Sequence, residues 1–455
     1  MRALYDSKSK LDDRGIKKLL TEESKVESWL IIESALAKAQ GEVGFIPKDA
    51  ANNIQDSCKI ENIDFEEMYR IKEKIGHGFV PFLKVLVKAC NDIGEKYVHY
   101  GVTTQNIQQT GQLYILKEVM EIIKGFISDI LDNLSVLAEN NAFTVMPGRT
   151  HGKHAIPITY GYKVSVWISE LIANLNRIKE SEKRIFQVMM GGAVGSFNAT
   201  GELGRRVQDL VAKELNMYSM EVPSRNMCIH KIEFINNLAM LCNTFHKIAE
   251  ETYYTGLEEI GEVSESFTPG TVGSSTMPQK INPKLSKGII ANSQKLYSIV
   301  SLGYYSSVRM FEGDSSSYML FDGLLEEAVE LAAEIIIRAE ELTRTIDIKK
   351  DKMKINAELN KGLDNSEYIM MEVAKKIGKD NAHELMYKKA MQTEIDGKDY
   401  LTVLKEDKII SSMFKEEEIE ELTNPANYIG EGPKIAKDMA KKAKDKSLEL
   451  KSKIK

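Results

Sequence analysis

Apolar residues recur every three or four positions through several long stretches of this chain. Between 112 and 140, Leu116, Val119, Ile123, Ile127, Ile130, Leu134 and Leu137 fall on one face of a helix with 3.6 residues per turn. A helix of that length spans about 40 Å at about 1.5 Å per residue. The spacing returns in Val164, Ile168, Leu171, Leu175 and Ile178, again in Ile235, Leu238, Leu241, Phe245 and Ile248, and again in Leu325, Ala328, Ala332, Ile335 and Leu342. The ten prolines leave 82–146, 158–222, 224–268 and 284–424 uninterrupted, as long helices require. Alternating runs rich in Val, Ile and Thr are few, and no repeat stands out. The expected fold class is therefore all-α, with a central bundle of long helices.

The same pattern divides the chain. Residues 22–44 read as a separate early helix closed by Gly44 and Pro47, with a polar stretch over 48–65. After about residue 346 the periodic segments shorten and become lysine-rich, with a break at NPANYIGEGP. Three helical domains are expected, over 1–95, 96–345 and 346–455, in line with about 100 to 200 residues per domain. The basic run 434–455 reads as a solvated helix face.

Composition narrows the function classes. Charged residues make up 28% of the chain and the formal net charge is -6, so neither a disordered chain nor a nucleic-acid-binding surface is indicated. MRALYDSKSKLDDRG lacks the apolar core of a secretion signal, and no run of about 18 apolar residues offers a membrane span. A cytoplasmic protein with no membrane or nucleic-acid partner is the expectation. Four cysteines without a CxxC pair fit reduced structural thiols.

Chemistry concentrates where the helical pattern fails, in VHYGVTTQN at 98–106, PGRTHGKH at 147–154 and GSSTMPQKINP at 273–283. Of seven histidines, His99, His151 and His154 fall in these stretches, with His77 just upstream. That clustering points to a site assembled from separated segments. A histidine beside Gly76 or Tyr100 can equally cap a helix end, and His230, His246 and His383 read as structural. His151 and His154 are three apart, but no HExxH, cysteine partner or nearby acidic ligand accompanies them, so no metal is expected. No P-loop, dinucleotide fingerprint or GxSxG is present, so no cofactor is expected either. Ser274 and Ser275, with Lys280 and Asn282 behind them, suit another task. A serine beside cationic charge and backbone N–H groups can lose its proton and take one from carbon, provided that donors around an adjoining carboxylate stabilise the carbanion.

GSSTMPQKINP resembles the signature loop of the fumarase/aspartase superfamily, GSSxMPxKxNP. HYGVTTQN and GRTHGKHAIPITYGYK resemble its two earlier blocks, with order and spacing agreeing over most of the chain. Within the superfamily, HYG, GRTHGxHA and GGAVGSF are most similar to adenylosuccinate lyase, an enzyme of purine biosynthesis. SKVESWLIIESALAKAQGEVGFIP and NPANYIGEGP look more like 3-carboxymuconate cycloisomerases. The resemblance implies a homotetramer around a shared helical core, each active site drawing its blocks from three subunits. It implies elimination of fumarate from an N-succinyl or similar small dicarboxylate-type substrate. By position, it makes Ser274 the general base and His151 the general acid. It gives carboxylate binding to Lys280 and Asn282, contact with the succinyl part to Thr103 and Thr104, and the remaining pocket to His77 and His99. Gln105, Arg149, Thr150, Ser275 and Met277 fall in the same matched segments as substrate-binding candidates, and Ser224 and Arg225 are added from a stretch similar to the lyases' SRDR-like segment.

The chain also departs from that pattern. Four residues past Pro283, where these lyases place a glutamate that orients the histidine, it has Lys287. Asn106 replaces an acid, and Asn226 follows Ser224 and Arg225 where the lyases continue with an acid. FEGDSSSYML stands where the lyases grip a nucleotide phosphate, and its arginines are absent. The cycloisomerases usually carry Trp at the position of His151. Cycloisomerase-like chemistry is the alternative activity, and a non-catalytic bundle the alternative of another class.

Overall fold

The computed structural model describes residues 11–266, 276–277, 279–321 and 323–453. Among them are eighteen α-helices and six short strands. The helices that matter for the site are α1 (Glu22–Glu42), α2 (Val80–Ala89), α3 (Thr104–Asn140), α4 (Tyr160–Ile185), α5 (Ile229–Thr255), α6 (Lys284–Ser307), α7 (Leu324–Thr345) and α8 (Gly432–Lys453). The stripes expected from the sequence are the buried faces of α3, α4, α5 and α7: Val164, Ile168, Ile235, Leu238, Leu325 and Ile335 are inaccessible to solvent. In α3 the stripe drifts as 3.6 residues per turn demands, so that Ala138 rather than Leu137 is buried near the end.

Two elements escape the periodicity. The helix α3 begins eight positions before the apolar pattern does, in the polar run TQNIQQTG. The helix α6 has few buried apolar residues, Ile289, Leu296 and Ile299, and buries Ser286, Asn292, Ser293 and Ser306 beside them, which hides its stripe.

By contact, the residues form two compact units, one of 1–125, 174–243 and 291–337, the other of 126–173, 244–290 and 338–455. In the first, α1 starts at Thr21, whose hydroxyl accepts from the Ser24 N–H, and ends before Gly44 in the left-handed region. Its Trp29 packs edge-on to Phe79 and Phe82, with centroids 4.9 and 5.3 Å away. Two-residue strands β3 (Gln187–Val188) and β4 (Tyr218–Ser219) pair in parallel.

In the second unit, strands β1 (Val145–Thr150) and β2 (Lys153–Thr159) form an antiparallel hairpin, where the sequence pattern shows only a break in the helical period at 147–154. Gly148 is required there, because a Cβ would meet the Ile156 carbonyl oxygen at 2.5 Å. Strands β5 (Val263–Ser264) and β6 (Asp347–Ile348) pair antiparallel. The helix α8 buries Ala436, Ala440, Ala443 and Leu450, and the Ser135 hydroxyl donates to its Ala440 carbonyl at 2.9 Å. A separate core of Ile369, Val373, Tyr400, Leu404, Ile410 and Ile419 holds the shorter helices before it. All four cysteines are free thiols, and no described helix is long and apolar enough to cross a membrane.

Candidate active site

The first unit carries the HYG and TTQN segments. His99 has φ +59°, a conformation that costs a residue with a Cβ, and it is held there from two sides. Its Nδ1 lies 2.6 Å from Oε1 of the buried Glu33, and Gln40 donates to the next carbonyl, that of Tyr100, at 2.7 Å. Glu33 was not among the residues singled out from the sequence. The signal was a lone acid on the apolar face of WLIIESALA, where an unpaired carboxylate is not tolerated. Gly101 has φ +75°, and a Cβ there would meet Thr200 at 2.7 Å.

Asn106 ties the next turn together. Its Oδ1 accepts from the Thr103 N–H at 3.0 Å, closing the first turn of α3, and from the Gly192 N–H at 3.1 Å. Thr104 and Gln105 stand half-buried beside it. Gly191 and Gly195 let GGAVG lie against Pro223 and Ser224, since a Cβ on either would fall within 2.8 Å of them. Three segments far apart in sequence, TTQN, GGAVG and PSR, therefore meet through one buried amide and two glycines.

His77 plays the capping role open to it from the sequence. Its Nδ1 accepts from the Phe79 and Val80 N–H groups, both at 3.1 Å, at the start of α2. Arg225 donates to the Gly313 carbonyl at 3.1 Å, and burial, then the charge of Arg309, pulls its pKa down. Arg309 itself was passed over in the sequence. Its Nε donates to the Asp314 carbonyl and its Nη2 to that of Gly313, both at 2.8 Å, while Nη1 reaches the Arg225 carbonyl. The segment after Arg309 is folded around this guanidinium. Hydrogen bonds from Ser316 hold the Asp314 carboxyl below its usual range.

The second unit carries the other blocks. Arg149 makes a bidentate pair with the fully buried Glu262, at 2.9 and 2.5 Å, and Asn356 donates to the same carboxylate at 2.8 Å. His151 and Gly152 form the hairpin's two-residue turn with φ +52° and +72°, the pattern of a type I′ turn. The turn leaves Thr150 and His151 exposed at the tip of a rigid hairpin. His154 points elsewhere, with Nδ1 3.3 Å from Asp364, whose other oxygen accepts from Asn360 at 2.9 Å.

Ser274 and Ser275 lie outside the described residues. The segment after them is in view: Met277 and Lys280 are exposed, joined by a Lys280 N–H to Met277 carbonyl bond of 3.0 Å, and Asn282 is half-buried. It runs directly into α6, whose first turn is capped from a distance. The Glu265 carboxylate accepts from the Leu285 N–H at 2.9 Å and the Ser286 N–H at 2.7 Å. Lys280, Lys284 and the exposed Lys287 add charge to the positive end of the helix dipole. This end of α6 suits an anion. Among the described residues, no group of three or more His, Cys, Asp or Glu is placed to hold a metal ion.

Comparison with known proteins gives the family. The family described as Lyase matches residues 9–295, and that described as Adenylosuccinate lyase C-terminus matches residues 362–439. An adenylosuccinate lyase of Methanocaldococcus jannaschii is 34% identical over 95% of this chain and 94% of its own length. An N-acetyl-S-(2-succino)cysteine lyase of Enterococcus italicus is 32% identical over 90% of each chain. The solved 3-carboxy-cis,cis-muconate lactonizing enzyme of Pseudomonas putida, 25% identical, superposes with a TM-score of 0.86 over 96% of this chain and 98% of its own.

Proposed function

We propose that this chain, which belongs to the fumarase/aspartase superfamily of lyases and is adenylosuccinate lyase-like, releases fumarate from a succinyl compound by base-catalysed β-elimination. Ser274 takes the proton from the succinyl carbon beside a carboxylate. The electron pair left there forms the double bond of fumarate, and the bond to the leaving nitrogen or sulfur breaks with its pair moving to that atom. His151 supplies the proton that the leaving atom needs. Lys280 and Asn282 face the carboxylate whose negative charge grows as the proton is lost, and Thr103 and Thr104 hold the succinyl part. The observation that carries this reading is the cationic first turn of α6 directly behind GSSTMPQKINP. The enzyme works in the cytoplasm as a homotetramer, and His151, Thr104 and Ser274 of one site come from three subunits.

Purified protein assayed for fumarate release against a panel of N-succinyl and S-succinyl compounds, adenylosuccinate included, tests the reading. Ser274→Ala is expected to lose turnover by a factor on the order of 10²–10⁴, as loss of a general base does, while keeping its fold and oligomer. Near-normal turnover in that variant would remove Ser274 from the mechanism. A second reading rests on the likeness to the muconate lactonizing enzyme. It takes over if the panel is silent and 3-carboxymuconate is turned over.

A further inference from the structure

We infer that Glu33 is a positioning residue: it fixes the proton of His99 on Nδ1, so that Nε2 is offered as an acceptor to an N–H or O–H of the substrate. This rests on the elimination proposed above, to which it adds a residue from outside the three sequence blocks. The helix α1 grips the HYG segment at two points. Glu33 and Gln40 are seven apart, about two turns along one face of α1, and each is 1% exposed. Gln40 holds the backbone through the Tyr100 carbonyl, and Glu33 holds the ring, with Oε1 2.6 Å from Nδ1. His99 keeps φ +59° between them, a conformation that persists only where its surroundings over-determine it. The Phe79 ring, with its centroid 5.4 Å away, limits the imidazole from a third side.

The short contact decides where the proton lies. Without a proton between them, Nδ1 and Oε1 would set two lone pairs against each other at 2.6 Å. An imidazole ordinarily holds a proton about two pH units more tightly than a carboxylate, so that proton belongs to the nitrogen. Among the described residues, Glu33 has no second hydrogen-bond or ion-pair partner to draw it away. The thiols of Cys58 and Cys90 also face it. Burial first, and the charge of Glu33 after it, push the Cys58 thiol up, and burial does the same at Cys90, so both stay neutral. A buried carboxylate with one donor keeps that donor.

With Nδ1 engaged, Nε2 is the ring's remaining polar atom. It has no hydrogen-bond partner among the described residues, and the side chain is 14% exposed. His77 shows the opposite setting in the same unit. Its Nδ1 accepts from the Phe79 and Val80 N–H groups, so its proton is on Nε2 and it presents a donor. The two histidines thus carry opposite tautomers, each fixed by what its Nδ1 meets. An acceptor nitrogen gains nothing from a deprotonated carboxylate or phosphate oxygen, which has no proton to give. The part of the substrate that meets His99 is therefore one that bears an N–H or O–H.

The test reads the tautomers directly, by solid-state NMR of the intact protein labelled with ¹⁵N-histidine. It is run at about pH 8, above the ordinary histidine range of about 6.5. His99 is assigned by the signal lost in His99→Gln, and His77 is the reference for the opposite tautomer. We expect the His99 proton on Nδ1 in the wild type and a shift toward Nε2 in Glu33→Leu, with His77 unmoved. A wild-type His99 protonated on Nε2, alone or with Nδ1, overturns the inference, and this spectrum decides whether or not the variant folds. So does a His99 tautomer unchanged in Glu33→Leu. In fumarate release, Glu33→Leu should lower kcat/KM by about 10- to 100-fold, the range for losing a group that orients a histidine from behind. Added to His99→Gln, the same change should cost less than about twofold, whereas a merely structural Glu33 would cost as much in either background. Normal turnover in Glu33→Leu would leave the elimination standing and this role refuted. The expected tautomers with no fumarate from any succinyl compound would do the reverse.

Discussion

Arg309 shows how a side chain can be present in a segment and still be withheld from its ligand. All three of its nitrogens donate to backbone carbonyls between 225 and 314, so the guanidinium organises the loop that follows it. A phosphate would have to displace those bonds, and a hydroxyl such as Ser315 cannot replace a paired guanidinium. Lys287 poses the opposite case, an exposed side chain whose change leaves the frame alone, since its backbone N–H continues to the Pro283 carbonyl at 3.3 Å. Lys287→Glu places an acid in the first turn of α6, where the dipole favours it by about 0.3–1 kcal/mol. We expect a melting temperature equal to or slightly above the parent's. Fumarate release from adenylosuccinate should rise if the histidine lacks only its carboxylate. Unchanged activity in a stable variant would mean that a missing carboxylate at this position does not limit the reaction.

At the scale of elements, Glu265 caps α6 from outside the helix. Glu265→Ala leaves two backbone N–H groups without their acceptor and should destabilise the protein by about 1 kcal/mol, as loss of a cap does. Turnover should fall further than stability, since Lys280 and Asn282 are set by that turn. Equal activity at a lowered melting temperature would show that the cap serves the fold alone. The long helices were legible because Leu116 to Leu134 and Leu325 to Leu342 repeat at the helical period. The helix α6 was not, because serines and asparagines fill its buried face. The hairpin was hidden for another reason: PGRTHGKH is polar, and its strand character depends on pairing across a turn that only His151 and Gly152 reveal. The candidate blocks stand out as motifs, whereas Glu33, Glu262 and Glu265, the carboxylates that hold His99, Arg149 and α6, lie outside every motif.

For the molecule as a whole, His230 links stability to pH. It is buried, its ring nitrogens have no hydrogen-bond partner, and burial followed by the charge of Lys231 lowers its pKa from 6.5 to about 3. The unfolded chain therefore takes up a proton below about pH 6.5 that the native state refuses until about pH 3. Stability is full above that window and is lost as pH falls through it, by at most about 1.4 kcal/mol per pH unit from this one group. Urea midpoints measured from pH 7 to 4.5 should fall less steeply in His230→Gln than in the parent. Parallel curves would mean that His230 is protonated in the native state. The oligomer is open to sedimentation, which should give four chains per particle.

The bond between Glu265 and the first turn of α6 also fixes both ends of residues 266–283, the stretch that carries the signature. In polymer terms that stretch is a ring, closed by a clasp made of the chain itself. The entropy of a ring grows only with the logarithm of its size, so doubling its length would cost only about 0.6 kcal/mol. Length between the two anchors can thus change at little expense to folding, provided the carboxylate and the helix end that close the ring are kept.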